Sequence, residues 1–128
     1  MKILDAGCGS GEFIKHAKNH FEWYGIDISE YAIKKAIEIM PDLKDRLIAG
    51  MVENSKYESN YFDGIVLWDS IEHIWDVKGT IDNLLQYLKD DGFLFISTPN
   101  ISSITGKILG KYWAFMTPPE HLSFLTKK

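Results

Sequence analysis

The sequence predicts an α/β fold in which a mostly parallel sheet is doubly wound, with helices on both of its faces. Short apolar runs alternate along the chain with amphipathic stretches of helical period. One run, 62–68, is apolar almost throughout, as expected for a central strand that is covered on both faces. Strands that alternate with helices pair in parallel through right-handed crossovers. We expect one domain over residues 1–128, because a chain of this length can bury a core of its own.

Five strands and three helices follow from the pattern, with a weaker helical stretch near 104–109. The predicted strands are 3–4, 23–26, 47–49, 62–68 and 93–97. Ser29 is a favourable N-cap for the second helix, and Pro41 ends that helix. The third helix is the clearest, because its apolar residues recur at i, i+3, i+4 and i+7 from Ile81, and Gly92 stands where a glycine often ends a helix.

Composition and charge exclude several classes of partner. The net charge is -4 and the lysines are scattered, so no basic surface for nucleic acid is expected. No apolar run approaches the roughly 20 residues that span a bilayer. The single cysteine, Cys8, cannot form an internal disulfide and fits a reducing compartment. We therefore expect a cytoplasmic protein without a membrane or nucleic acid as partner.

A glycine-rich turn follows the first strand, with Gly7, Gly9 and Gly11 ahead of a helix. Glycine lets the backbone approach a ligand closely, and the helix supplies free N–H groups. The dinucleotide fingerprint requires a third glycine at position 12, but Glu12 stands there and would repel a pyrophosphate. A dehydrogenase that uses NAD is therefore the less favoured alternative.

Asp27 ends the second strand about 20 residues after the first glycine, the spacing at which a carboxylate accepts hydrogen bonds from ribose hydroxyls. Together with the turn, this carboxylate favours a nucleoside ligand without phosphates.

Residues 3–11, Ile-Leu-Asp-Ala-Gly-Cys-Gly-Ser-Gly, resemble the first motif of the class I S-adenosylmethionine-dependent methyltransferases residue by residue. The likeness continues through 24–29, 62–68 and 88–100, and so covers nearly the whole chain. It is strongest to the methyltransferase groups of types 11, 12 and 23, which include quinone-biosynthetic and cell-surface sugar enzymes. The resemblance implies a Rossmann-like fold, with S-adenosylmethionine as methyl donor and S-adenosylhomocysteine as product.

The same resemblance assigns cofactor-binding residues. The turn from Gly7 through Cys8 and Gly9 to Gly11 would pack against the methionine part, with Asp5 organising the turn and meeting the ammonium group. Asp27 would hold the ribose.

Adenine would lie between Ile28 and Met51, with its polar edge met by backbone groups near Val52 or, as a weaker alternative, by Glu53. Met51 stands where many members carry an aspartate. At the end of the fourth strand, Trp68 and Asp69 would line the gap between sulfonium and substrate.

A second constellation resembles the pattern of methyltransferases that use a divalent metal. Its residues are Asp69, Glu72, His73 and the distant His121. Oxygen and imidazole ligands could hold a metal that orients a substrate hydroxyl. The favoured alternative is that Glu72 and His73 satisfy backbone groups and no metal binds. In that case His73 or His121 would act as general base, with Asp69 beside the substrate.

The resemblance implies that this sequence lacks the helix before the first motif and the last two strands of the family fold. The fifth strand would then be an apolar edge at 93–96, which proteins normally cover. We expect either a fragment of a longer enzyme or a homodimer that pairs through this edge. The function that the sequence favours is methyl transfer to a small molecule, at oxygen, and the alternative is a noncatalytic cofactor-binding or dimerisation module.

Overall fold

The computed structural model describes residues 1–97, in which five strands form one parallel sheet. The strands are β1 (Lys2–Ala6), β2 (Glu22–Asp27), β3 (Leu47–Ala49), β4 (Phe62–Trp68) and β5 (Leu88–Ser97). Their spatial order is β3-β2-β1-β4-β5, and every neighbouring pair is parallel. The predicted α/β sheet and its five strands are confirmed. Strands are added on one side of β1 and then on the other, which opens a crevice above the carboxyl ends of β1 and β4.

Within residues 1–97, three α-helices connect the strands, and the helical stretch expected near 104–109 lies outside these residues. The helices are α1 (Glu12–Ala17), α2 (Glu30–Ile39) and α3 (Val77–Tyr87). The predicted start of α2 is confirmed, because the Ser29 hydroxyl accepts a hydrogen bond from the Ala32 N–H at 3.2 Å. Pro41 follows the end of α2 and begins a short 3-10 segment, Pro41–Arg46, as expected of a residue that cannot continue a helix.

The sheet separates two apolar clusters. Successive residues of a strand face opposite sides, so Ile3 packs beneath α1 and α2 whereas Leu4 packs on the side of α3. Ile14 of α1 and Leu84 of α3 are both fully buried at the centres of these clusters. Each such side chain contributes about 1.5–3 kcal/mol of transfer free energy. These two layers hold the carboxyl ends of the strands in fixed positions.

The predicted role of Gly92 is wrong. Helix α3 already ends at Tyr87, and Gly92 lies inside β5, where the pairing with β4 shifts register. A Cβ on Gly92 would lie 2.6 Å from the Leu88 Cδ1 and 3.0 Å from the Asp63 carbonyl oxygen. The glycine is therefore required by the close approach of the two strands at this irregularity and does not cap the helix.

Within the described residues, β5 forms one edge of the sheet, and Phe93 and Phe95 are partly exposed there. Pairing of two copies through this edge stays a prediction. In the same part of the chain, no helix has the length and apolar character needed to cross a membrane.

Candidate functional site

A cavity of about 370 Å³ opens at the carboxyl ends of β1, β2, β3 and β4. This is the crevice in which ligands of open α/β sheets bind. The residues that line it are Ala6, Gly7, Ile26, Asp27, Ile28, Gly50, Met51, Val52, Glu53, Leu67, His73, Ile74, Trp75, Asp76 and Thr80. One wall thus comes from the segments after β1, β2 and β3, and the facing wall comes from the segment that leads into α3.

The glycine-rich turn has the backbone conformation that its glycines allow. Gly7 and Gly9 have φ values of 86° and 53°, in the left-handed region that other residues rarely adopt. The N–H groups of Gly7 and Cys8 both donate to the Ile26 carbonyl, at 2.8 and 3.1 Å. A Cβ on Gly7 would lie 2.5 Å from the Ser70 Cβ, whereas one on Gly9 would meet no heavy atom within 4 Å. The turn is therefore packed tightly at Gly7 and open at Gly9.

Asp27 connects this turn to the end of β2. Its Oδ2 accepts a hydrogen bond from the Gly9 N–H at 2.8 Å, and its Oδ1 accepts one from the Ser29 N–H at 2.8 Å. The side chain also lines the cavity. Because a carboxylate oxygen can accept more than one hydrogen bond, both oxygens can still accept from the hydroxyls of a ligand.

Asp5 lies at the carboxyl end of β1, and 2% of its surface is exposed. Its Oδ1 has no hydrogen-bond partner in the described residues. Burial, and next the charge of Asp27, raise the pKa of Asp5 from 3.8 to about 7. Asp5 does not line the cavity in the free protein. A buried carboxyl group with an unused acceptor is suited to a cationic partner.

The two residues expected around adenine do come together. Ile28 is 73% exposed and Met51 is 48% exposed, and both line the cavity beside Val52. The Val52 carbonyl already accepts from the Ser55 N–H at 3.1 Å and from its hydroxyl at 2.7 Å. Hydrogen bonds to a ligand from this segment would therefore come from its first N–H groups, which a helical turn leaves without an internal partner.

The facing wall was missed by sequence reasoning. Ile74, Trp75, Asp76 and Thr80 line the cavity from the side of α3. The Thr80 hydroxyl donates to Oε1 of Glu53, which bridges the two walls. The available signal was Trp75 itself, since it stands outside the apolar stripe of α3 and directly before the helix N-cap, Asp76.

The expected placement of Trp68 is wrong. Its ring packs on the opposite face of the sheet, 4.6 Å from the ring of Phe13 and 4.7 Å from that of Phe95, between ring centroids. There it lines a second, wholly apolar cavity of about 280 Å³. The reason is strand alternation, because Leu67 faces the first cavity and its neighbour must face away.

The Cys8 side chain does not line the first cavity either. It packs near Gly25, where an added Cβ would lie 2.8 Å from its Sγ, and burial raises the pKa of the thiol. Cys8 therefore contributes to the turn through its backbone.

The proposed metal ligands do not converge in the part of the chain that the structure describes. Asp69 is exposed, and its carboxylate accepts from the Ser97 hydroxyl at 3.3 Å. Glu72 is fully buried, whereas His73 is exposed and lines the cavity. No three His, Cys, Asp or Glu side chains within residues 1–97 are placed to hold a metal ion. His121 lies outside the described residues.

The whole chain, residues 1–128, matches the family described as methyltransferase domain. It is 30% identical over 138 residues to the ubiquinone biosynthesis O-methyltransferase of Rickettsia typhi, covering 98% of this chain and 54% of that protein. It is 32% identical over 101 residues to phosphoethanolamine N-methyltransferase 3 of Arabidopsis thaliana, covering 76% of this chain and 21% of that protein. The chain thus spans about half or less of the length of these relatives.

A solved structure agrees with the fold. The structure of a SAM dependent methyltransferase from Archaeoglobus fulgidus superposes with a TM-score of 0.77 and 23% identity, covering 98% of this chain and 54% of that one.

Proposed function

This chain belongs to the class I S-adenosylmethionine-dependent methyltransferase family, and from that premise we propose that its cavity holds S-adenosylmethionine for methyl transfer to a small-molecule acceptor, at oxygen. The observation that carries the proposal is the position of Asp27. One carboxylate closes the glycine-rich turn through Gly9 and also lines the cavity. That arrangement suits a ribose whose two hydroxyls donate to it.

The two ends of the cofactor differ in chemistry, and so do the residues proposed to meet them. The open backbone at Gly9 leaves room for the methionine part, and Oδ1 of Asp5, which is buried and does not line the cavity in the free protein, is the unused acceptor proposed for its ammonium group. The exposed apolar side chains of Ile28 and Met51 suit the flat faces of adenine.

When bound, the cofactor supplies an electrophilic methyl group on a sulfonium. The residues of the chain would orient the acceptor in line with that methyl group and exclude water. Orientation of this kind provides much of the rate acceleration. His73 lines the cavity and is the described residue best suited to accept the proton of an acceptor hydroxyl.

Oxygen is the favoured acceptor atom because relatives that are similar over 98% of this chain are named O-methyltransferases. Nitrogen is the second candidate, since a relative of similar identity is named an N-methyltransferase. A noncatalytic cofactor-binding module remains the alternative to both.

The test is turnover of methyl-labelled S-adenosylmethionine by the purified chain. Phenols, catechols and primary amines serve as acceptors, each with Mg²⁺ and with a chelator. We expect label in a phenolic or catecholic product, reduced at least tenfold by His73→Gln, with Lys56→Gln as a control outside the cavity. Cofactor binding without transfer to any acceptor would support the noncatalytic module, and label in amines alone would move the acceptor to nitrogen.

A further inference from the structure

Trp75 is the most exposed large apolar side chain within residues 1–97, at 86%. An indole of this exposure is unusual on a soluble protein, because Trp is highly buried on average. It is also one of the residues that line the cavity at the carboxyl ends of the strands. The proposed contacts to ribose, methionine and the acceptor do not use it.

The backbone at Trp75 is held on both sides. After it, the Asp76 carboxylate accepts a hydrogen bond from the Gly79 N–H at 2.9 Å and so caps α3. Before it, the Ile74 N–H donates to the Ile71 carbonyl at 3.1 Å. The backbone that carries the indole is therefore held at the mouth of the cavity.

The opposite wall is fixed too. The hydrogen bond from the Thr80 hydroxyl to Glu53 holds the Val52–Asn54 segment against α3. Ile28 and Met51 project into the cavity from that wall, and both are largely exposed. The cavity thus has exposed apolar side chains on both walls, and the Glu53 carboxylate lies between the walls, a combination that suits a flat heterocycle that carries an amino group.

We propose that Trp75 covers the adenine ring of the cofactor, stacking its indole on one face while Ile28 and Met51 contact the ring from the other wall. This assignment rests on the proposed function. It identifies an adenine-binding residue on the α3 side of the cavity, whereas the glycine-rich motif at residues 3–11 lies on the opposite wall. Stacking of a base on an aromatic side chain changes affinity by roughly fivefold to a hundredfold on substitution by alanine.

The test compares two ligands that share adenine and differ in the rest. Calorimetry with S-adenosylhomocysteine and 5′-methylthioadenosine measures the affinity of the wild type and of the Trp75→Ala and Trp75→Phe variants. Trp75→Ala should weaken both ligands by the same factor of about tenfold, and Trp75→Phe should restore most of the affinity. Tyr31→Ala is the matched control, because Tyr31 is also an exposed aromatic residue but does not line the cavity.

A second measurement, acrylamide quenching of tryptophan fluorescence, tests the same assignment without the Trp75→Ala variant. S-adenosylhomocysteine should protect the tryptophan fluorescence of the wild type from acrylamide, and this protection should disappear in Trp75→Phe. The assignment to adenine would be overturned if the wild type binds both ligands and Trp75→Ala binds them with affinities within twofold of the wild type. It would also be overturned if Trp75→Ala loses affinity for S-adenosylhomocysteine alone. Binding of neither ligand by the wild type would overturn the proposed function itself, and the role of Trp75 with it.

Discussion

The Asp27 carboxylate accepts a hydrogen bond from the backbone N–H of Gly9, and the oxygen and nitrogen are 2.8 Å apart. The bond joins the end of β2 to the glycine-rich turn after β1. The carboxylate and the turn are therefore held in fixed positions relative to each other before a ligand binds. A second bond, from the Ser29 N–H, fixes the orientation of the same carboxylate. Pre-organisation of this kind lowers the cost of ordering the site on binding.

Two glycines of the turn should respond differently to alanine. At Gly7 the new Cβ would collide with Ser70, so Gly7→Ala should lower the free energy of unfolding by about 2–4 kcal/mol. At Gly9 the Cβ meets nothing, and only the strain of the positive φ remains, about 1 kcal/mol. Urea titration measures both effects. Equal losses at the two positions would show that the turn is not packed against Ser70 as described.

Gly9→Ala should nevertheless weaken S-adenosylhomocysteine strongly, by about tenfold or more, because the added methyl group separates the ligand from the backbone. Calorimetry on the folded variant measures this loss. An unchanged affinity would remove Gly9 from the proposed methionine site.

Asp5 should make stability depend on pH. Its pKa is raised in the folded chain from 3.8 to about 7, so the folded state binds this proton more tightly than the unfolded state does. The contribution of Asp5 to stability is therefore complete below about pH 4 and is lost as the pH rises to about 7. Asp5→Asn should raise the free energy of unfolding at pH 8 by about 2 kcal/mol and flatten this dependence between pH 4 and 7.

The same carboxyl should give the opposite trend in binding. An ammonium group is attracted only to the ionised form, so the affinity for S-adenosylhomocysteine should rise between pH 5.5 and 7.5 in the wild type and change little in Asp5→Asn. Calorimetry at several pH values measures both. A parallel rise in the variant would exclude Asp5 as the group responsible.

The bridge between Thr80 and Glu53 should contribute to stability. Thr80→Val removes the hydroxyl and keeps the shape, and it should lower the free energy of unfolding by about 1 kcal/mol, because the exposed Glu53 carboxylate can turn to water instead. Thr80→Ser is the control that retains the donor. In a double-mutant cycle, Glu53→Gln should have little further effect once Thr80 is valine.

Local patterns sufficed for much of the fold. The apolar run of β4 and the cap at Ser29 can each be recognised from neighbouring residues in the sequence. The spacing from Gly7 to Asp27 can also be recognised from the sequence alone. Trp68 was misplaced because the face that a strand residue occupies depends on the register of the whole strand. Gly92 was misassigned because an irregularity between two strands is not visible in either strand alone.

Trp75 is a local signal for the wall on the side of α3, but the contact of that wall with the opposite one could not be predicted, for a similar reason. It exists only because α3 packs across the sheet, which brings Thr80 within hydrogen-bonding distance of Glu53, a residue 27 positions earlier in the chain. No pattern within the segment 74–80 specifies that contact.

The most direct test of the account is calorimetric titration of the purified chain with S-adenosylhomocysteine and with NAD, comparing the wild type with Asp27→Ala. Asp42→Ala is the matched control, since Asp42 is an exposed carboxylate paired with Lys18 and does not line the cavity. We predict that S-adenosylhomocysteine binds the wild type and the control equally, that Asp27→Ala loses at least tenfold in affinity, and that NAD does not bind. Binding of NAD in preference to S-adenosylhomocysteine, or full affinity in a folded Asp27→Ala, would contradict the central claim.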